Sequence, residues 1–314
     1  MPIVPHIPTY LKAVNQPRLA MDLIYLAKDP LLCRTLNHSL PGHTKSTLQM
    51  ADDYIMKCLA GLGFGFEQVA VPVQAFQADH TVPHGFRKPL PWEPVYNAMN
   101  LYFIKRGVSH PQELILLLAH KDSQSWLPCA PGAYDNASGT IALMEIARVL
   151  SGYASKRSIW LLFCNEEHWP WTSVAAAQAL ATSDYRALAV LNLDSLAGKA
   201  RHGDPPANVT RFSTPEGEAL ADLMIALNDQ LGLKMIQQKY LCEMPNDDDG
   251  SFIHAGIPTA VMSIGSYPYS EPNYHKMSDI AEHVDLDNLG LAVQLNLATV
   301  LHLDEYGSAA MLPA

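Results

Sequence analysis

From residue 113 onward, short unbroken apolar runs alternate with longer stretches of helical spacing. The runs are Leu114–Ala119, Ile159–Phe163, Ala187–Leu193 and Thr259–Ile264. Each is too short for a stable helix and apolar at consecutive positions, as in a strand covered on both faces. The stretches between and after them, Ser138–Leu150, Ser173–Thr182, Glu216–Leu231 and Leu286–Leu303, read as helices. The alternation predicts an α/β fold, a three-layer α/β/α arrangement with a central mixed, mostly parallel sheet. Upstream, residues 1–60 read as mainly helical, with Lys45–Phe64 the clearest helix. Gln68–Phe76 and Ala98–Lys105 follow as strands. The Pro-rich Gln77–Tyr96 between them predicts an ordered surface loop, because flexible linkers rarely carry residues such as Phe86 and Trp92.

Composition narrows the picture. The chain has 314 residues, 48% hydrophobic and 17% charged, which supplies a sizeable core. Length alone suggests about two domains, but the continuous pattern predicts one α/β domain over residues 1–314. The formal charge of −10 argues against nucleic acid or an anionic membrane as a partner, since both need a basic surface. No uncharged apolar run approaches the roughly 18 residues of a membrane-spanning helix. The N-terminus lacks the basic-then-apolar pattern of a secretory signal, so a cytoplasmic location is expected. The five cysteines are few, scattered and without a CxxC pair. They predict reduced thiols packed as small apolar groups, not a disulfide framework.

The candidate chemistry lies at strand ends. His120-Lys121-Asp122-Ser123, Glu166-Glu167 and Asn192-Leu193-Asp194 each follow a predicted strand, and Asp135-Asn136-Ala137-Ser138-Gly139 leads into a helix. Asn273-Tyr274-His275 follows the fourth strand. In open α/β sheets, ligands bind outside the carboxyl ends of the strands, so these distant segments can share one crevice. Taken singly, each has an ordinary explanation: a surface histidine, a helix N-cap, a solvated turn. Together, two histidines and several carboxylates make a nitrogen–oxygen donor set suited to Zn2+, and also to Co2+ or Mn2+.

In this order, LLAHKDS, PGAYDNASG, FCNEEHWPWTS, LNLDS and NYHKMSD resemble the co-catalytic zinc aminopeptidases of family M28. The resemblance implies two divalent metal ions. It implies His120 and Asp194 as ligands of one, Glu167 and His275 as ligands of the other, and Asp135 as the bridge. Glu166 would be the general base, and Asp122 would orient His120 from behind. Asp279 matches a structural acid, and a cis peptide bond is expected after Asp135. The implied reaction is removal of the N-terminal residue from peptide substrates with a free amine. Adjacent carboxylates suit it: side chains diverge, so Glu167 can ligate while Glu166 takes a proton from the attacking water.

Four departures from the family pattern stand out. His168-Trp169-Pro170-Trp171-Thr172 replaces small residues after the paired acids, and one of the indoles is expected to wall an apolar pocket. Asp247-Asp248-Asp249 replaces Ser-Asp-His, which reads either as cleft acids favouring a basic residue or as an exposed loop. Tyr134 stands in place of a small or acidic residue, and Lys276-Met277 in place of Thr-Pro. The alternative function is a glutaminyl-cyclase-like acyltransferase, which shares the fold and the paired acids followed by Trp but uses one zinc.

Overall fold

The computed structural model describes residues 2–199, 201, 203–265 and 270–312. Three helices open the chain: α1 (Ile7–Leu11), α2 (Gln16–Ala27) and α3 (Thr47–Leu59). Ser46 starts α3 with a capping box, its hydroxyl accepting from the Gln49 N–H while the Gln49 side chain accepts from the Ser46 N–H. Then come β1 (Gly65–Ala75), the short pair β2 (Gln77–Ala78) and β3 (Phe86–Arg87), β4 (Val95–Lys105) and β5 (His110–His120). The Pro-rich segment is therefore a small hairpin whose last residues already belong to β4. The remaining elements are α4 (Ser138–Val149), β6 (Arg157–Cys164), β7 (His168–Trp169), α5 (Thr172–Ala181), β8 (Arg186–Leu193) and β9 (Ala207–Phe212). They are followed by α6 (Pro215–Leu231), β10 (Ile236–Leu241), α7 (Asp247–His254), β11 (Ala260–Ile264) and α8 (Leu286–Tyr306).

Nine strands form one sheet in the order β10-β9-β11-β8-β5-β6-β4-β1-β7. The central four, β11, β8, β5 and β6, run parallel, and antiparallel strands extend the sheet on both flanks. The period of two along β5 sorts its side chains between two layers. Ile115, Leu117 and Ala119 join the larger core under α1–α4, α6 and α8. Leu114, Leu116 and Leu118 face the opposite way, onto α5 and α7 through Ala176, Ala177, Leu180 and Phe252. With both faces covered, the polar residues of β5, β6 and β8 are displaced to the strand ends, where the first candidate motifs lie.

Candidate metal centre

His120 is the last residue of β5, and its carboxylate neighbours come from the segments beyond β5 and β8. His120 Nε2 lies 3.1 Å from Asp135 Oδ1 and 3.5 Å from Asp194 Oδ1. His275 Nε2 lies 3.1 Å from the other oxygen of Asp135 and 3.5 Å from Glu167 Oε1. Asp135 thus stands between two imidazoles, one oxygen toward each. His120, Glu166 and Asp194 form one group of close donor atoms, and His120, Asp135 and Glu167 another. His120, Asp135, Glu166, Glu167, Asp194 and His275 therefore converge. They floor a pocket of about 110 Å³ that also includes His84, Phe86, Trp171, Asn246, Asp247 and Tyr274.

Asp122 is the organiser behind the centre. It is fully buried and its Oδ1 lies 3.3 Å from His120 Nδ1, which turns His120 Nε2 toward the carboxylates. It also accepts from the Glu166 N–H at 3.0 Å and the Glu167 N–H at 2.9 Å, so one carboxylate fixes both a histidine and the turn carrying the paired acids. Its fourth contact, His168 Nδ1 at 2.7 Å, comes from a residue the sequence reading had noted only as a departure. His168 Nε2 accepts from the Leu36 N–H, so its proton sits on Nδ1, facing Asp122.

The loop that presents Asp135 is constrained on three sides. Gly132 has φ +53°, and a Cβ there would lie 2.4 Å from the Asp135 carbonyl oxygen, so glycine is required. The fully buried Arg34 donates to the carbonyls of Pro131, Gly132, Lys121 and Leu26. Asp279 accepts from the Tyr134 and Asp135 N–H groups at 2.7 and 3.0 Å. The Asp135–Asn136 peptide is cis. Asn136 reaches across to β8, donating to the Leu193 carbonyl and accepting from the Gly139 N–H. Tyr134 is explained by its partner: a Cβ at Gly198 would fall 2.0 Å from the tyrosine ring, so the large residue packs against a glycine.

Charge in the pocket is one-sided. Burial, reinforced by Asp248, Asp247 and Asp194, holds the Glu166 carboxyl well above the usual carboxylate range. Burial also pushes Glu167 up to about 7, partly offset by its contact with His275. Burial alone would lower His120 and His275. The surrounding carboxylates outweigh it, raising His120 well above its ordinary value and His275 to about 10. The residues thus retain protons where a cation would otherwise balance the charge. Glu166 Oε2 and His275 Nδ1 are buried without a hydrogen-bond partner among the described residues. Two histidines, a carboxylate aimed both ways and a spare oxygen on Glu166 fit bound divalent metal better than a proton network.

The pocket walls bear on two expectations, the acidic triplet and the indoles. Asp247–Asp249 is not an exposed loop, and of its three acids Asp247 alone lines the pocket, paired with Arg211. The triplet is the first turn of α7: Asp248 and Asp249 are fully buried, and Arg211 bridges Asp247 and Asp249. Of the two indoles, Trp171 lines the pocket. Trp169 faces a neighbouring apolar groove, with Lys88 Nζ 3.7 Å above its ring. Aromatic rings gather around His275. Phe86 and Trp126 pack with tilted rings 4.2 Å apart and lie 6.1 and 5.2 Å from the His275 ring, while Tyr274 stacks on His275 at 3.8 Å. Phe86 sits in the Pro-rich hairpin, and its aromatic character was the one visible signal.

The profile of Peptidase family M28 matches residues 100–300. A leucine aminopeptidase 1 from Metarhizium robertsii is 27% identical over 202 residues, covering 60% of this chain and 51% of that protein. The chain thus spans about half the length of that curated relative. Among solved structures, an aminopeptidase from Aneurinibacillus sp. strain AM-1 superposes with a TM-score of 0.70 at 14% identity, covering 95% of each chain. A glutaminyl cyclase from Bacteroides thetaiotaomicron superposes with a TM-score of 0.67 at 16% identity, covering 91% of this chain and 97% of that one. Likeness at this identity concerns the fold.

Proposed function

The chain belongs to peptidase family M28, and from that premise we propose that it is a metal-dependent aminopeptidase working with two divalent ions, Zn2+ foremost. The observation that carries the proposal is Asp135 with one oxygen 3.1 Å from His120 and the other 3.1 Å from His275. His120, Asp135 and Asp194 would hold one ion, and Asp135, Glu167 and His275 the other. When bound, such ions supply a Lewis acid that polarises a carbonyl and makes water more acidic.

The protein's own groups do the rest. Glu166, with a buried free oxygen, takes the proton of the attacking water and returns it to the leaving amine. Asp122 keeps Glu166 and Glu167 apart in direction by gripping both N–H groups. The acidic floor suits a substrate's α-ammonium, which supports removal of the first residue over cleavage within a chain. Trp171, Phe86 and Tyr274 supply apolar wall for an uncharged N-terminal side chain.

The cyclase reading rests on a shared fold and would use one ion. A single ion would engage one of the two histidines and one oxygen of Asp135, leaving the other histidine and the other oxygen without an ion. One experiment separates the two. Metal bound per chain is counted, and the protein is assayed with aminoacyl chromogenic substrates and a glutamine-initiated peptide, after chelation and after adding back zinc, cobalt or manganese. At least two metals and metal-restored hydrolysis of the chromogenic substrates are expected. One metal with ammonia release from the glutamine peptide would reject the aminopeptidase.

A further inference from the structure

A second set of metal-type donors lies outside the carboxylate pocket. Cys33 and His38 belong to the segment between α2 and α3, and Cys129 to the loop between His120 and Asp135. Their sulfur and nitrogen atoms all lie within 4.8 Å of one another. Cys129 Sγ is 3.4 Å from His38 Nε2. In a tetrahedral zinc site, bonds of about 2.3 Å to sulfur and 2.0–2.1 Å to nitrogen set those two atoms roughly 3.5 Å apart. Cys33 is buried, whereas Cys129 and His38 are partly exposed, which gives an ion a route in and leaves a coordination position for water.

The surroundings are already ordered for the purpose. The two segments run side by side: the Arg34 N–H donates to Ser123 Oγ, the Ser123 N–H returns to the Arg34 carbonyl, and Asn37 donates to the Ser125 carbonyl. None of the three donors lines the carboxylate pocket.

We propose that Cys33, His38 and Cys129 form a separate, thiolate-rich site for one Zn2+, with a fourth position left to solvent. Two sulfurs and an imidazole select a borderline-soft ion, whereas the carboxylate centre is hard and acidic. On binding, each thiol loses its proton to solvent, the sulfur lone pair forms the bond to the ion, and no electron is transferred. The ion clips the segment 33–38 to the segment 123–129. Through the Leu36 N–H on His168, and His168 on Asp122, that clip bears on the position of the catalytic turn.

The test uses Co2+ alone on chelated, fully reduced, anaerobic protein. Cobalt–thiolate bonds give a charge-transfer band in the near ultraviolet that a carboxylate–imidazole site cannot give. Failure of the catalytic reading and failure of this site are therefore read separately. A thiolate band of the intensity of one cobalt site per chain is expected, cobalt taken up by the carboxylate centre adding nothing to it. It should persist in Asp194→Asn and in Cys164→Ser, disappear in Cys33→Ser and Cys129→Ser, and need at least tenfold more Co2+ in His38→Ala. Should the buried Cys33→Ser fail to fold, the partly exposed Cys129→Ser carries the test, together with slowed alkylation of Cys129 when the wild type is loaded. Absence of a thiolate band in the wild type, or its survival in Cys129→Ser, overturns the proposal.

Discussion

Glu166 and Asp122 are both buried carboxylates, yet they sit at opposite extremes. Burial and neighbouring acids raise Glu166, whereas two histidines outweigh burial and hold Asp122 well below the usual range. The first is a group that can accept and return a proton, and the second a permanent anion that positions others. Glu166→Gln should keep both metals and lower kcat by about 10²–10⁴-fold. Near-normal kcat with both metals counted would remove Glu166 from the role. Asp122→Asn should keep the fold but weaken metal affinity by about 10–100-fold, because His120 loses its orienting anion. Competition with a chromogenic chelator reads that change directly. Trp171→Ala should raise KM for leucyl substrates more than for arginyl ones, while Trp169→Ala leaves the ranking intact. An unchanged ranking in both variants would show that the apolar wall does not choose the substrate. The polar residues were legible because the sheet's buried faces drive them to strand ends. His84, Phe86 and Trp126 were not, since aromatics in loops carry no period from which a direction could be read.

Among the elements, α7 carries the most testable electrostatics. Arg211 on β9 bridges Asp247 and Asp249 in the first turn of α7, and Asp249 is fully buried. Burial raises Asp249 from 3.8 to about 6, although Arg211 pulls it back down. For an acid whose folded value is raised, the folded state binds the proton more tightly. Its contribution is then complete below about pH 4 and falls as pH rises through about 6. Arg211→Met removes the offset and moves that loss to higher pH. The variant should be less stable than wild type by about 3–5 kcal/mol at pH 8, the usual cost of orphaning a buried charge, and by less at pH 5. Urea midpoints of both proteins in chelator at the two pH values check this, and an equal gap at both would refute it. The same region marks where the sequence stopped being informative. β9 (ANVTRF) and β10 (IQQKYL) are strands whose polar residues serve bridges and edges, so neither shows an apolar run. α7 opens with three acids and Gly250, which read as a loop. By contrast β5, β6, β8 and β11, buried on both faces, were plain as unbroken apolar runs, and so were the helices packed over them.

Over the whole molecule, the helices before β1 are part of the centre's construction. The family profile begins at residue 100, yet the supports behind the site reach back much further. Asp52 on α3 lies 2.8 Å from the fully buried Lys121 ammonium, next to His120. Arg34 holds the carbonyls of Pro131 and Gly132, which set the turn into Asp135. Burial lowers the Arg34 guanidinium to about 10, still charged at neutral pH, and its donors meet carbonyl oxygens rather than a carboxylate. Its role is therefore to satisfy acceptors that water cannot reach. In Arg34→Met those carbonyls stay buried, each orphan costing about 1–3 kcal/mol. Two effects are expected, a loss of at least ~4 kcal/mol in chelator and weaker metal binding by the protein that remains folded, because the Asp135 turn loosens. Leu23→Ala serves as the comparison. Leu23 is a buried α2 residue in the main core, and its truncation should cost about 2–5 kcal/mol without touching that turn. Metal affinity is measured for both variants well below their unfolding midpoints. If Arg34→Met binds metal as tightly as Leu23→Ala does, the segment between α2 and α3 stabilises the fold without shaping the centre.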